Sequence, residues 1–241
     1  MTDRRSAVPF DPEYFARRAS AGDGVTPVEI FRQIYETNHW SGRQSRSGPG
    51  ASEDQTTRIR EALPALCRTL GVRTILDIPC GDFNWMADVA FGEIDYIGAD
   101  LLPELVATNS ERYGREGRRF VTLDLTSSPL PAADLMLCRD CLVQLSFAEI
   151  DRALQNLRAA DIRYLLTTTF PSQLHNVDIV TGDWRPLNLE HPPFSFPPPL
   201  RLINEECTEC EGKFADKSLG LWRIAEVPGD SATLQPQHAV T

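Results

Sequence analysis

Thr74-Ile75-Leu76-Asp77-Ile78-Pro79-Cys80-Gly81-Asp82-Phe83-Asn84-Trp85 is the stretch that decides the fold. Thr74 to Leu76 read as a short buried strand, and the run stops at an acid and a turn. A strand ending in Asp-x-Pro-Cys-Gly and then entering a helix predicts a nucleotide-type site in an open α/β sheet, where ligands collect outside the carboxyl ends of the strands. Gly81 has no Cβ, so a ligand can lie against bare backbone. The helix expected over 83–90 would present unpaired N–H groups at its start. The next strand candidate, Asp95-Tyr96-Ile97-Gly98-Ala99-Asp100, ends in a second acid 23 residues after Asp77. An acid roughly 20 residues on is placed to accept from ribose hydroxyls.

Working outward, strand patterns fall at 73–78, 95–100, 120–124, 134–139, 163–168, 200–204 and 218–226. Besides 83–90, helical patterns fall at 102–113 and 147–159, the latter opened by Ser146 and Glu149, with Ile150, Leu154 and Leu157 as its buried stripe. Strand alternating with helix predicts an α/β protein with a seven-stranded, mostly parallel sheet and helices on both faces. The last two strands have no helix between them and are expected to pair as an antiparallel hairpin at one edge.

Before the sheet, residues 1–25 read as a flexible arm or a loosely attached short helix. Thr26-Pro27-Val28-Glu29 is a helix start with a capping box, and Ile30, Phe31, Ile34 and Tyr35 recur at helical spacing. That helix is expected to cover the site as an N-terminal lid. A second box, Ser52 with Gln55, opens a helix running to about Leu70 despite Pro64. The expected organisation is an arm and helical lid over 1–53, a main domain over 54–227 and a disordered tail over 228–241. Within the main domain, 171–199 holds seven prolines together with Trp184, Phe194 and Phe196. Insertions of that length are functional or disordered, and the aromatics argue for a substrate lid.

Lys and Arg number 24 against 34 Asp and Glu, a net charge of −10. A polyanion-binding surface needs a basic patch, and the nearest, Arg112 to Arg119, reads as a solvated helix end, so nucleic acid is disfavoured. No apolar stretch is long enough to span a bilayer, and the N-terminus lacks a signal-peptide core. Six cysteines are too few for a disulfide scaffold, which points to the reducing cytoplasm. Cys138/Cys141 and Cys207/Cys210 form two Cys-x-x-Cys pairs that could hold zinc. Strand alternation at the first pair and the missing ribbon glycines speak for buried thiols and no metal.

Asn38 to Ser52 is rich in hydroxyls, glycine and arginine, as a linker would be. Trp40, Arg43 and Arg46 are costly there, and an Arg in a Gly-rich loop suits a carboxylate or phosphate.

The chain resembles class I S-adenosylmethionine-dependent methyltransferases, whose first motif commonly reads Asp-x-Gly-x-Gly-x-Gly. Here Asp77 and Gly81 are kept, with Pro79 and Phe83 in place of the outer glycines. Within that family it is similar to small bacterial members around Asn38–Trp40, Ser45–Gly48, Asp77–Trp85, Arg139–Cys141, Thr167–Pro171 and Gly182–Leu187. The resemblance implies a Rossmann-like sheet, S-adenosyl-L-methionine as cofactor and a small-molecule acceptor methylated on O or N, with natural-product or sugar tailoring as a family-level expectation. It implies cofactor contacts from Asp77, Pro79, Cys80, Gly81 and Trp85, from Asp100 and Leu101, from Asp124 and Leu125 after the third strand, and from Cys138. Asp124 is expected at the adenine amino group, and Arg46 at the methionine carboxylate or an acidic substrate.

The fourth strand's end is expected to reach the acceptor. Asp140 would orient or deprotonate it, with Arg139 as partner or clamp. Gln144 stands where relatives often carry His, and an amide cannot take a proton at neutral pH. Trp40, Thr169, Asp183, Trp184 and Arg185 are the expected substrate contacts, Arg185 holding an anionic acceptor, with the loop histidines His175 and His191 as weaker candidates for proton removal. Two rivals stand beside this reading. A nicotinamide-dependent oxidoreductase would want the phosphate-cradling glycines this chain lacks, and a non-catalytic cofactor-binding protein of the same fold would account for the missing base.

Overall fold

The computed structural model describes residues 10–22 and 24–228; the expected tail over 228–241 falls, apart from Pro228, outside them. A seven-stranded sheet is built from β1 (Thr74–Asp77), β2 (Asp95–Asp100), β3 (Arg118–Thr122), β4 (Ala133–Cys138), β5 (Ile162–Thr169), β6 (Arg201–Asn204) and β7 (Ser218–Arg223). Its order is β3-β2-β1-β4-β5-β7-β6. The first five strands are parallel, and β7 runs antiparallel between β5 and β6. The expected edge hairpin is present, with β7 as its inner strand. β1 has β2 on one side and β4 on the other, so the order reverses there and opens a crevice at the carboxyl ends.

The two-residue period of the strands divides the core into two layers. Leu76, Ile97, Met136, Leu165 and Trp222 face one way and meet α5 (Phe147–Ala159) through Ile150, Ala153, Leu154 and Leu157. Ile75, Leu135, Leu137, Leu166 and Leu221 face the other way and meet Ile59, Leu63 and Leu66 of α3 (Glu53–Leu70). α4 (Pro103–Tyr113) adds Val106 to that second layer. α5 begins where the sequence places it, because the Ser146 hydroxyl accepts from Glu149 N–H.

Three local expectations fail for physical reasons. No helix follows β1. Phe83 is buried among Tyr96, Tyr113 and Phe120, and it takes φ +58°, which a right-handed helix cannot contain; only a 3₁₀ turn, Met86–Asp88, follows. Ser52 makes no side-chain cap on α3. The Gln44 side chain accepts from Glu53 N–H instead, and Gln55 reaches Thr208. β3 ends at Thr122, two residues earlier than the pattern suggests.

The arm is not loose where it is described. α1 (Tyr14–Ser20) docks through Phe15, and both Asp183 carboxylate oxygens accept from its first N–H groups, Phe15 at 2.7 Å and Ala16 at 2.9 Å. α2 (Pro27–Thr37) carries the expected capping box, Thr26 with Glu29. Phe15, Ile30, Ile34 and Trp40 form a third apolar cluster against Trp184. The 171–199 segment lacks helix and strand but is packed: Leu187, Leu189, Phe194 and Phe196 are buried in the α5 layer. It is a wall of the core, and most of it does not reach the cleft.

Candidate functional site

The switch point between β1 and β4 holds the main cleft, which encloses about 1290 Å³ of empty space, its open mouth included. Asp77 and Asp100 form its acidic floor, both nearly out of contact with water. Tyr96 donates its phenol to Asp77 Oδ2. Burial pushes the Asp77 carboxyl up to about 7, against the pull of Tyr96 and Arg139. Burial likewise carries Asp100 up to about 6, although it accepts from the N–H groups of Gly81 and Leu102, each at 3.1 Å.

Gly81 therefore does a different job from the one its sequence suggests. It has φ +54°, and a Cβ there would come 2.4 Å from Ser47 Oγ of the lid loop. Its N–H is spent on Asp100 and its carbonyl accepts from the buried Asn109 amide. With no helix behind it, this turn offers no bare N–H cradle for phosphate.

The lid loop is latched to the same turn by Asp82. Ser45 Oγ lies 2.9 and 2.8 Å from the two carboxylate oxygens, and Arg46 N–H donates to Oδ2 at 3.0 Å. Arg46 stacks its guanidinium over Tyr35 at the cleft wall and reaches the last carbonyls of α2. The lid helix adds Phe31, Ile34 and Tyr35 to that wall, as its amphipathic pattern predicts.

Pro79, Cys80, Trp85, Leu101 and Leu125 all line the cleft. Cys138 does not: it is fully buried beneath the floor. Asp124 lines the cleft, yet it lies beyond the end of β3. Its carboxylate is engaged by its own turn, accepting from Thr126 N–H and from the hydroxyls of Thr126 and Ser127.

Asp140 sits at the end of β4 with φ +53°. Lys217 Nζ is 2.7 Å from its Oδ2, and Arg139 is 3.3 Å away. Burial works against ionisation, but Lys217 and Arg139 outweigh it and hold the Asp140 carboxyl below the ordinary range. Lys217 is in turn raised by Asp140 and Glu205, which outweigh its own burial and the neighbouring Arg139. Arg139 is bidentate to Glu205, at 3.0 and 2.7 Å, and donates to the Gly50 carbonyl. It is thus a buried strut and not a free clamp, although its edge lines the cleft. Lys217 and Glu205 lie in no local motif, and Asp82, although inside the stretch after β1, has its partner Ser45 37 positions away, beyond the reach of any spacing rule.

Of the expected substrate residues, Trp40 and Trp184 line a second, smaller chamber beside the main cleft. Arg185 does not bind from there. It is buried and donates to the carbonyls of Val177, Leu142 and Leu145, so it staples the insertion to the core, and burial pulls its pKa down to about 9. Asp183 is used as the α1 cap described above. Thr169 bonds Leu187 and Leu189 within the core. His175 and His191 line neither cavity. Gln144 lines both, with its side-chain amide donating to the Asp140 carbonyl. Among the described residues no group of three or more His, Cys, Asp or Glu is placed to hold a metal ion. None of their helices is long and apolar enough to cross a membrane.

No protein-family model and no curated protein sequence matches the chain. Among solved structures, human N-acetylserotonin methyltransferase in complex with S-adenosylmethionine superposes with a TM-score of 0.57 at 14% identity. The match covers 86% of this chain and 61% of that one, so the chain spans less than two thirds of the human protein's length. The N-methyltransferase NodS from Bradyrhizobium japonicum, with S-adenosylhomocysteine, aligns over 59% of this chain and 71% of its own, at 14% identity and a TM-score of 0.45. The seven-stranded sheet with its antiparallel β7 is the Rossmann-like fold of the class I methyltransferases.

Proposed function

We propose that the chain is an S-adenosylmethionine-dependent methyltransferase acting on a small molecule. The observation that carries this reading is the pairing of an acidic floor, Asp77 and Asp100, with a turn whose N–H is already spent. Carboxylates suit a cationic sulfonium and repel a pyrophosphate, so a nicotinamide dinucleotide finds no cradle here. Two of the roughly four lone-pair sites of Asp100 are taken by backbone, which leaves acceptors for ribose hydroxyls. Leu101 and Leu125 offer an apolar slot for adenine, and Arg46 at the wall suits a carboxylate.

When bound, the sulfonium supplies an electrophilic methyl carbon: the acceptor's lone pair forms the new bond, and the sulfur keeps the electron pair of the bond that breaks. The protein's part is positioning and water exclusion, both of which the latched lid serves. Asp140, held ionised by Lys217 and Arg139, is a weak base; its role is to orient the acceptor. The acceptor atom therefore comes with its lone pair available, or loses its proton to water.

Calorimetric titration with S-adenosylmethionine, S-adenosylhomocysteine and NADH tests the reading. Binding of the two adenosyl ligands and not of NADH is expected. Binding of NADH alone, or of none of the three, would overturn it.

A further inference from the structure

The second chamber meets the main cleft at Asp140 and Gln144 and is walled by aromatic rings. Phe10, Trp40, Phe170, Trp184 and Phe214 line it, and Trp184 meets Phe10, Phe170 and Phe214 edge to face at 5.0 to 6.1 Å. At one end stand three charged groups, Asp140, Lys217 and Glu209. They converge on a single point, since a Cβ on Gly50 would lie 3.1 Å from Lys217 Nζ and 3.3 Å from both Asp140 Oδ2 and Glu209 Oε2. Glycine at position 50 keeps that point clear.

The charges around the chamber do not cancel. Lys217 is paired with Asp140 at 2.7 Å and lies 3.5 Å from Glu205, while Arg139 is paired with Glu205. Two cations and two carboxylates thus balance one another. Glu209 is a third carboxylate and leaves one negative charge in excess: Lys217 and Arg139 feel it, but among the described residues no cation lies within ion-pair distance of it, and it accepts only from the Cys207 thiol, at 3.5 Å. An unmatched carboxylate beside aromatic faces attracts a cation and repels an anion.

We infer that this chamber is the acceptor site and that it takes a small molecule bearing an amine as its ammonium form, anchored by Glu209 among the rings of Trp40, Trp184 and Phe214. This rests on the methyltransferase reading only in calling the ligand an acceptor; the charge preference is a property of the chamber itself. The anchored group need not be the atom methylated, which belongs where the two cavities meet.

Three probes of one shape and different charge decide the matter: phenethylamine, 2-phenylethanol and 3-phenylpropionate. Each is titrated into the whole protein by calorimetry, with and without S-adenosylhomocysteine. Phenethylamine is expected to bind about tenfold tighter than the neutral and anionic probes. Glu209→Gln should erase that preference while leaving S-adenosylhomocysteine affinity unchanged. Equal binding of all three, a preference for the anion, no binding of any probe to its solubility limit, or an amine preference surviving in Glu209→Gln would each overturn the inference. The charge series on the unsubstituted protein decides even if the variant fails to fold. Loss of adenosyl binding alone would sink the methyltransferase reading and leave the amine preference standing.

Discussion

Asp77 and Asp100 are two carboxylates held out of water on one cleft floor, and their cost is legible in pH. An Asp ordinarily titrates at 3.8; burial first, with their mutual repulsion added for Asp77, carries Asp77 to about 7 and Asp100 to about 6. Folded-state values above the unfolded ones mean that the native chain binds the extra protons. Their stabilising effect is complete below the unfolded value and is lost as pH rises through about 6 and about 7. His39, half-buried and lowered by that burial, acts in the opposite sense, so the readout is a difference between proteins. Thermal midpoints should fall more steeply across that window in the native chain than in Asp77→Asn; parallel profiles would refute the assignment. A cationic ligand needs both carboxylates ionised, so its affinity should rise with pH over the same window.

At the scale of elements, the lid owes its position to few bonds. Asp82 takes Ser45 Oγ with both oxygens and Arg46 N–H with one. Ser45 is buried, so removing the carboxylate leaves its hydroxyl proton without an acceptor, while the oxygen keeps only the Ser47 N–H. Asp82→Ala should cost about 1–3 kcal/mol of stability and loosen 42–50. Faster hydrogen exchange in that loop, with weaker adenosyl binding, is the expected result; unchanged exchange would show the latch to be idle. A companion test lies at α1, where Asp183 accepts from two N–H groups of a helix of seven residues. Asp183→Ala should cost about 1 kcal/mol and raise exchange over 14–20 without touching β1 or β2.

Elements also show what a sequence can and cannot carry. α5 and the capping box of α2 were legible because caps and apolar stripes are local signals. Asp77 and Asp100 were legible as strand-end acids for the same reason. The helix expected after β1 was not there, because Phe83 is drawn into an aromatic cluster by residues far along the chain. Arg185 and Asp183 have the composition of a binding loop, yet their partners are the backbone carbonyls and N–H groups of other elements. Lys217 meets Asp140 across 77 positions of sequence, and no spacing rule reaches that far.

At the scale of the whole molecule, the charged cluster ties the sheet together. Arg139 and Asp140 follow β4, Glu205 follows β6 and Lys217 precedes β7, so one network joins the ends of three strands directly beneath both cavities. Arg139 and Glu205 are almost fully buried, and breaking such a pair strands a charge. Glu205→Gln should lower stability by about 3–5 kcal/mol, a large share of the roughly 5–15 kcal/mol a domain has. Urea unfolding should show the midpoint fall with the slope unchanged, because the surface exposed on unfolding is the same. Replacing both members, Arg139→Met with Glu205→Leu, should recover much of that loss, since an apolar pair costs no desolvation. Recovery is limited by what Arg139 does alone: it donates to the Gly50 carbonyl, stacks over Trp85 and helps hold Asp140 ionised. A double variant as unstable as the single one would mean that those separate contacts, and not the ion pair, are what the sheet depends on.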